Sequence, residues 1–248
     1  MPRTLRALFR RARKLLLGER LDDATRALRA RDHQDNLRMR RIIEESLRSN
    51  SCAIDVGAHT GEVLRQILAN APDGTHHAFE PIPRLALKLR KQFPDLSVHE
   101  VALGACAATS SFHDVVSNPG YSGLELRTLD REDETVVPIT VEVLRLDDVI
   151  PESEHIDLIK IDVEGGELGV LEGARQLLAR CQPIILFEHG KQAARHYGTT
   201  PEMIHALLSG DLDYEIFGLD GAGPFDSGGL EAVFETGSAW NFVARPTR

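Results

Sequence analysis

Nine residues, Ala53-Ile-Asp-Val-Gly-Ala-His-Thr-Gly61, restrict the fold more than any other stretch of the chain. Ala53 to Val56 is an apolar run of strand length that stops at Gly57, and Gly61 follows four residues later. From Glu62 the apolar residues Val63, Leu64, Ile67 and Leu68 recur at helical spacing. Strand, glycine turn and helix in that order make a βα unit. Such a turn aims backbone N–H groups and a helix N-terminus at the space above the strand end. Glycine is needed where φ is positive or where something must approach the main chain closely. Glu80 closes the next apolar strand, about 20 residues further on, where a ribose-binding carboxylate is expected.

The spacing is D-x-G-x-x-x-G rather than the pyrophosphate-binding G-x-G-x-x-G. A carboxylate beside bare N–H groups repels a pyrophosphate. Asp55 suits a ligand with a cationic amino-acid part, and S-adenosylmethionine (SAM) carries an ammonium, a sulfonium and a ribose diol. The competing reading is a ligand-free βα turn in which Thr60 caps the helix.

The rest of the chain extends the α/β rhythm. Pro72-Asp73-Gly74 marks a turn, and 75–79 reads as a second strand ended by Glu80-Pro81. Pro83 opens a helix, and 96–101 is a third strand running into Ala102-Leu103-Gly104. Residues 105–146 alternate instead, and read as a β-hairpin-like insertion with Tyr121, Ser122 and an acidic loop, 130–134. Tyr121 and Ser122 are either part of a lid over the acceptor or plain turn residues. A fourth strand, 156–161, has Asp157 and Lys160 as polar interruptions and runs into Asp162-Val-Glu-Gly-Gly-Glu167. One helix is read from there through Leu178, followed by a fifth strand, 183–187, ending at Glu188-His189-Gly190. Thr200-Pro201 caps and starts a helix. The last two strands are 214–219 and 239–244, with a polar, glycine-rich link at 220–229 and no helix between them. The expected fold is α/β: a doubly wound, mostly parallel, seven-stranded sheet with an antiparallel edge hairpin, a β insertion and N-terminal helices.

Two divisions are expected: a basic helical extension, 1–50, and one α/β domain, 51–248. Residues 1–41 hold 13 Lys/Arg against 5 Asp/Glu, whereas the remainder holds 16 against 33. The body is therefore acidic, which argues against nucleic-acid binding. The segment around Leu5, Leu8, Phe9 and Leu15–17 is basic and amphipathic, with Gly18 as a break, and a second helix is read over 22–49. This extension either touches an anionic membrane surface or a partner, or packs on the domain or a homo-oligomeric mate with its arginines solvated. Cys52, Cys106 and Cys181 are scattered and odd in number, without a disulfide or metal pattern, which fits a reducing cytoplasm. No apolar run reaches the roughly 18 residues of a membrane span, and no secretory signal pattern opens the chain.

In an open parallel sheet, ligands lie beyond the carboxyl ends of the strands. The predicted neighbours are thus Asp55-Val-Gly, Glu80-Pro, Ala102-Leu-Gly, Asp162-Val-Glu-Gly and Glu188-His. Carboxylates recurring at one sheet edge are better explained by a cationic or hydroxyl-rich ligand than by chance, because buried charges need partners.

The succession DVGAHTG, FEPIP, VALG, LDD, IDLIKIDVEGGELGVLEGA and PIILFEH resembles the FkbM-type SAM-dependent methyltransferases. The resemblance implies a class I methyltransferase, Rossmann-like fold and usually O-methylation of a small molecule or glycan. It implies that Gly57, His59, Thr60 and Gly61 lie under the methionine part of SAM. Asp55 orders that loop and reaches the ammonium directly or through water, and Glu80 takes both ribose hydroxyls. Pro81, Ala102 and Leu103 adjoin the adenine, and Asp162 lies at the reactive methyl. A hydroxyl acceptor also needs a base, for which Asp162, Glu164, Glu188 and His189 are candidates; His189 qualifies by titrating near neutrality. Glu164 and Glu167 read equally as helix N-terminal charges. Asp162, Glu188 and His189 have ligand chemistry for a divalent metal, but their spacing is not diagnostic and no metal is assigned. Two competing functions stay open, a non-catalytic SAM-binding module and a nicotinamide-dependent reductase. The short-chain reductase pair Tyr-x-x-x-Lys is absent: Glu125, Pro201 and Gly218 follow Tyr121, Tyr197 and Tyr214 at that distance.

Overall fold

The computed structural model describes residues 23–128 and 133–247. The basic segment 5–17 and residues 130–132 of the acidic loop lie outside them. The chain divides into Met1–Leu37 and Arg38–Arg248. In the first unit the described part is the start of helix α1, Asp23–Ser46.

The second unit opens with the last turns of α1, then β1 (Ala53–Val56), α2 (Glu62–Asn70), β2 (His76–Phe79), α3 (Pro83–Gln92) and β3 (Ser97–His99). The insertion follows as β4 (Ala102–Leu103), β5 (Ala108–Val115) and β6 (Val136–Leu144), then the short α4 (Leu146–Val149). The α/β rhythm resumes with β7 (Leu158–Ile161), α5 (Glu167–Glu172), α6 (Arg175–Cys181), β8 (Ile184–Glu188) and α7 (Lys191–Ala194). It ends with α8 (Pro201–His205), β9 (Tyr214–Gly218), α9 (Ser227–Thr236) and β10 (Asn241–Pro246).

The main sheet has seven strands in the order β3-β2-β1-β7-β8-β10-β9. The first five pair in parallel, and β10 runs antiparallel to both β8 and β9. Strand residues alternate between two faces. Ile54, Val56, Ile159, Ile161, Ile185 and Phe187 pack with Leu171 and Leu177 of α5 and α6. Ala53, Leu158 and Leu186 pack on the other face with Ile43 of α1, Leu47 just beyond it and Ile67 of α2. Both faces are covered, so the strands read as continuous apolar runs and any buried charge in them is conspicuous. Each fully buried Leu or Ile here contributes about 1.5–3 kcal/mol.

Three details differ from the expectation. The helix read over 167–178 is broken between Glu172 and Arg175, where Gly173 packs so closely on the Gly104 carbonyl that a side chain would not fit. Asp147 supports the restart, accepting from the N–H groups of Gln176 (3.1 Å) and Leu177 (2.9 Å). Ala102-Leu103 leaves the third strand and pairs with Val143 and Leu144 in a separate three-stranded sheet, β4-β6-β5. The two closing strands pair antiparallel, but helix α9 lies between them. Asp226 caps it through the Gly229 N–H (2.7 Å), and Leu230 and Phe234 are buried. Its two glycines hid it in the sequence.

Candidate active site

The carboxyl ends of β1, β2, β7 and β8 lie side by side in the sheet order, so Asp55, Glu80, Asp162 and Glu188 end adjacent strands. At β1 the chain turns through Gly57 at φ 75°, and Gly61 at φ 76° begins α2. His59 sits between them at φ 48°, a left-handed conformation uncommon for residues other than glycine, though histidine enters it more readily than most. The N–H groups of this turn are largely engaged within the protein. Gly57 and Ala58 donate to the Phe79 carbonyl at 3.0 and 3.1 Å, and Gly61 to Ala58 at 2.8 Å. His59 donates to Glu80 Oε2 at 2.8 Å. The expectation of a row of free amides facing a ligand is corrected accordingly: the turn is held by β2.

Glu80 is buried and accepts a second N–H, from Ile82 to Oε1 at 2.9 Å. Burial pushes its carboxyl up to about 7, against the opposing pull of these two N–H groups. Each carboxylate oxygen keeps a lone pair for a further donor.

Asp55 is buried, and neither oxygen has a hydrogen-bond partner among the described residues. It is not without a counter-charge. Lys160, directly across from it in the β1–β7 register, brings Nζ to 3.3 Å from Oδ1. The same ammonium lies 3.5 Å from Asp162 Oδ2 and donates to the Gly57 carbonyl at 3.1 Å. Burial raises the Asp55 carboxyl and works to lower the lysine, but the two aspartates outweigh that and hold Lys160 above its ordinary value. In the sequence alone Lys160 stands only as a polar interruption of a strand. A lysine in an otherwise apolar strand, two residues before Asp162 and hence on the same face, was the available signal.

Around Asp162 the negative charge is dense. Burial drives the Glu188 carboxyl well up, and the nearby charges of Asp162, Glu164 and Glu167 add to it. Glu164, at φ 60°, is pushed to about 8 by burial and Asp162, although Arg127 is paired with it. Glu167 is buried and accepts from the N–H groups of Val163 and Gly165, both at 3.0 Å, so it clamps the loop that precedes its own helix. His189 has no exposed surface, stacks on Phe234 at 4.8 Å, and has no hydrogen-bond partner on either ring nitrogen among the described residues. The expectation that it titrates near neutrality is corrected: burial takes it down to about 4.

The remaining predicted residues divide. Thr60 and Pro81 are half-buried beside the turn and Glu80. Ala102 packs with Ile82, two residues past Glu80, while Leu103 joins the main core. Ser122 is buried and accepts from the Val115 N–H at 2.9 Å. Tyr121 carries the Arg127 guanidinium over its ring at 4.1 Å. Among the described residues the insertion reaches the β7 and β8 side through Arg127 to Glu164 and to Gln192 Oε1 (3.4 Å), the Glu125 N–H to Tyr197 Oη (3.1 Å) and the Thr128 N–H to His196 (3.3 Å). Arg127 was not anticipated from the sequence.

Residues 55–216 match the profile of the methyltransferase FkbM domain. The 2-O-methyltransferase NoeI of Sinorhizobium fredii is 28% identical over 156 residues, covering 57% of this chain and 64% of that protein. Methyltransferase sdnD of Sordaria araneosa is 30% identical over 160 residues, covering 52% and 62%. The aligned segments thus span less than two thirds of either relative. The crystal structure of methyltransferase FkbM from Methylobacillus flagellatus superposes with a TM-score of 0.49 at 17% identity, covering 80% of this chain and 44% of that one. With its profile match running from the first strand-end carboxylate to β9, the chain belongs to the FkbM family of SAM-dependent methyltransferases.

Proposed function

We propose that this chain transfers the methyl group of SAM to a hydroxyl of a small molecule or glycan, with 51–248 as the catalytic domain and 1–50 as an extension. The observation that carries the reading is the line of acidic strand ends, Asp55, Glu80, Asp162 and Glu188, along one rim of the sheet. The Sinorhizobium relative is a 2-O-methyltransferase, which favours oxygen as the acceptor atom.

The residues fit such a donor. Asp55, buried at the end of β1 with Lys160 as its counter-charge, is assigned to order the loop and to reach the ammonium directly or through water. Glu80 has lone pairs left for the ribose diol, and Gly57, His59, Thr60 and Gly61 form the floor under the methionine part. Pro81, Ala102 and Leu103 bound the adenine. When bound, SAM supplies an electrophilic methyl group whose loss leaves a neutral thioether. The protein's task is then chiefly alignment, which removes a large entropic cost. Asp162 is assigned the acceptor's proton, with Glu188 beside it. His189 is left out of proton transfer because it is enclosed and stacked.

Labelled SAM incubated with a panel of sugars, polyketides and hydroxylated metabolites, with and without Mg²⁺, tests the proposal. Label on a hydroxyl oxygen is the expected result. Label on nitrogen or carbon overturns O-methylation, and binding without transfer to any compound favours a non-catalytic module.

Glu80 gives a pH signature. Its folded value, about 7, lies above the ordinary 4.5. The folded protein therefore holds this proton more tightly than the unfolded chain, and the stability that gives is lost as pH rises through 7. The ribose diol, in contrast, needs the ionised form. SAM affinity is thus expected to be about tenfold weaker at pH 6 than at pH 8, levelling above that. Calorimetry across this range on the wild type and Glu80→Gln checks it. The variant should bind weakly and lose the dependence, and an unchanged slope would remove Glu80 from the site.

A further inference from the structure

Between the last turns of α1 and the strands β9 and β10 lies a cavity of about 630 Å³, a size that suits a small molecule. All of its lining residues belong to the Arg38–Arg248 unit, and none belongs to the donor site proposed above. Ile42, Phe217, Leu219 and Val243 give it an apolar floor, continuous with the core that α1 covers. Three arginines also line it: Arg38 and Arg41, one turn apart on α1, and Arg245 of β10.

Arg245 is the informative one. It is half-buried and stands directly opposite Glu215 in the β9–β10 register, so the two share a face of the sheet. Even so, its guanidinium forms no ion pair with Glu215 or with any other carboxylate among the described residues. Residues 42–248 hold 16 Lys/Arg against 33 Asp/Glu. Where carboxylates are that plentiful, a half-buried arginine without one is conspicuous. The two carboxylates that do line the cavity answer it poorly. Asp220 accepts the Ala222 N–H at 3.1 Å and so holds the turn after β9. Glu45 lies 3.8 Å from Arg41 in a largely solvated pair, which is worth little and leaves Arg41 open to a better-placed anion.

We propose that this cavity binds a phosphate ester carried on an apolar chain. A guanidinium presents paired N–H donors that match the oxygens of an oxyanion. One such fork takes up both oxygens of a carboxylate. A phosphate group has a third oxygen to share, which suits arginines that arrive from two elements, Arg41 from the helix and Arg245 from the sheet. The floor takes the chain, whose apolar surface leaves water on binding. A soluble phosphate ester and the head group of a membrane lipid share this chemistry.

Calorimetry on the full-length protein tests the proposal, with hexyl phosphate, hexanoate, hexanol and inorganic phosphate as probes. Hexyl phosphate should bind at least about tenfold more tightly than each of the other three, because it alone carries both features. Arg245→Met should weaken it by about tenfold or more, the usual loss for a charge-assisted contact. Arg41→Met should do the same, and it lies on the solvated surface of α1 where folding is not at stake. Arg40→Met is the control. Arg40 is exposed, pairs with Glu44 at 2.8 Å and does not line the cavity. Its loss removes equal charge and should leave the affinity within about twofold. No binding of hexyl phosphate overturns the proposal, and so does hexanoate or inorganic phosphate bound as tightly. An Arg40→Met variant that loses as much as Arg245→Met overturns it too, since the binding would then follow overall charge. Vesicles of phosphatidylcholine with and without phosphatidic acid separate the two sources. Sedimentation that needs both phosphatidic acid and Arg245 assigns the site to a lipid head group. Hexyl phosphate binding without such sedimentation assigns it to a soluble ester. None of these readings uses SAM or a methyl acceptor, so a failed transfer assay leaves them as they stand.

Discussion

Asp162→Asn should lower methyl transfer by about 10²–10⁴-fold, the usual contribution of a positioned base, with SAM affinity largely intact. The substitution keeps size and shape and removes the ability to take a proton. It also spares the donor loop. What packs against Gly57 is the backbone carbonyl of residue 162, not its side chain. The Asp162 N–H donates to the Val56 carbonyl at 3.1 Å, a main-chain bond the variant retains. Lys160 loses one of two counter-charges but keeps Asp55 and the Gly57 carbonyl. Single-turnover transfer to whichever acceptor the labelled panel yields, set beside calorimetry with SAM, separates the two quantities. A variant of undiminished rate would pass the proton to Glu188 or make a base unnecessary. A variant that no longer binds SAM would make Asp162 a donor ligand instead.

The parts of this site that were legible in the sequence are those written in local order. Ala53–Val56 followed by Gly57 and Gly61 announces a strand, a tight turn and a helix, since apolar period and glycine placement are properties of neighbouring residues. Once parallel strands are accepted, strand-end carboxylates are bound to share a rim. What escaped depends on register. That Lys160 faces Asp55 follows from β1 and β7 pairing residue for residue, and 105 positions separate them in the chain. Arg127 escaped because the path of a long insertion is set by what it lands on, here Glu164 and the segment carrying His196 and Tyr197. His189 was misjudged for a related reason. Its proton affinity depends on enclosure beside Phe234 of α9, a helix whose two early glycines concealed it. Asp226 as a cap, with Leu230 and Phe234 one turn apart, was the signal that outweighed those glycines.

Gly57→Ala should be among the most damaging glycine substitutions in the described residues, since it combines a backbone clash with a positive φ. The residue has φ 75°, a left-handed conformation that costs an L-residue about 1–2 kcal/mol. The added Cβ would also sit inside contact distance of the Asp162 carbonyl oxygen. That oxygen cannot swing aside like the tip of a long side chain. Its residue is tied to β1 through the Val56 carbonyl, and the loop beyond it is clamped by Glu167. Relief requires β1 and β7 to part at their carboxyl ends, which also pulls the Gly57 carbonyl away from Lys160. Strain and clash together are expected to cost about 3–5 kcal/mol, lowering the melting temperature by roughly 10 °C in a protein of this size. SAM binding should fall below detection, because the turn under the donor and the Asp55–Lys160–Asp162 chain are displaced together. Gly210→Ala is the control: a Cβ there meets nothing within 4 Å, and it should melt with the wild type or above it. If Gly57→Ala melts alongside that control and binds SAM normally, the close contact between the ends of β1 and β7 does not hold this site in shape.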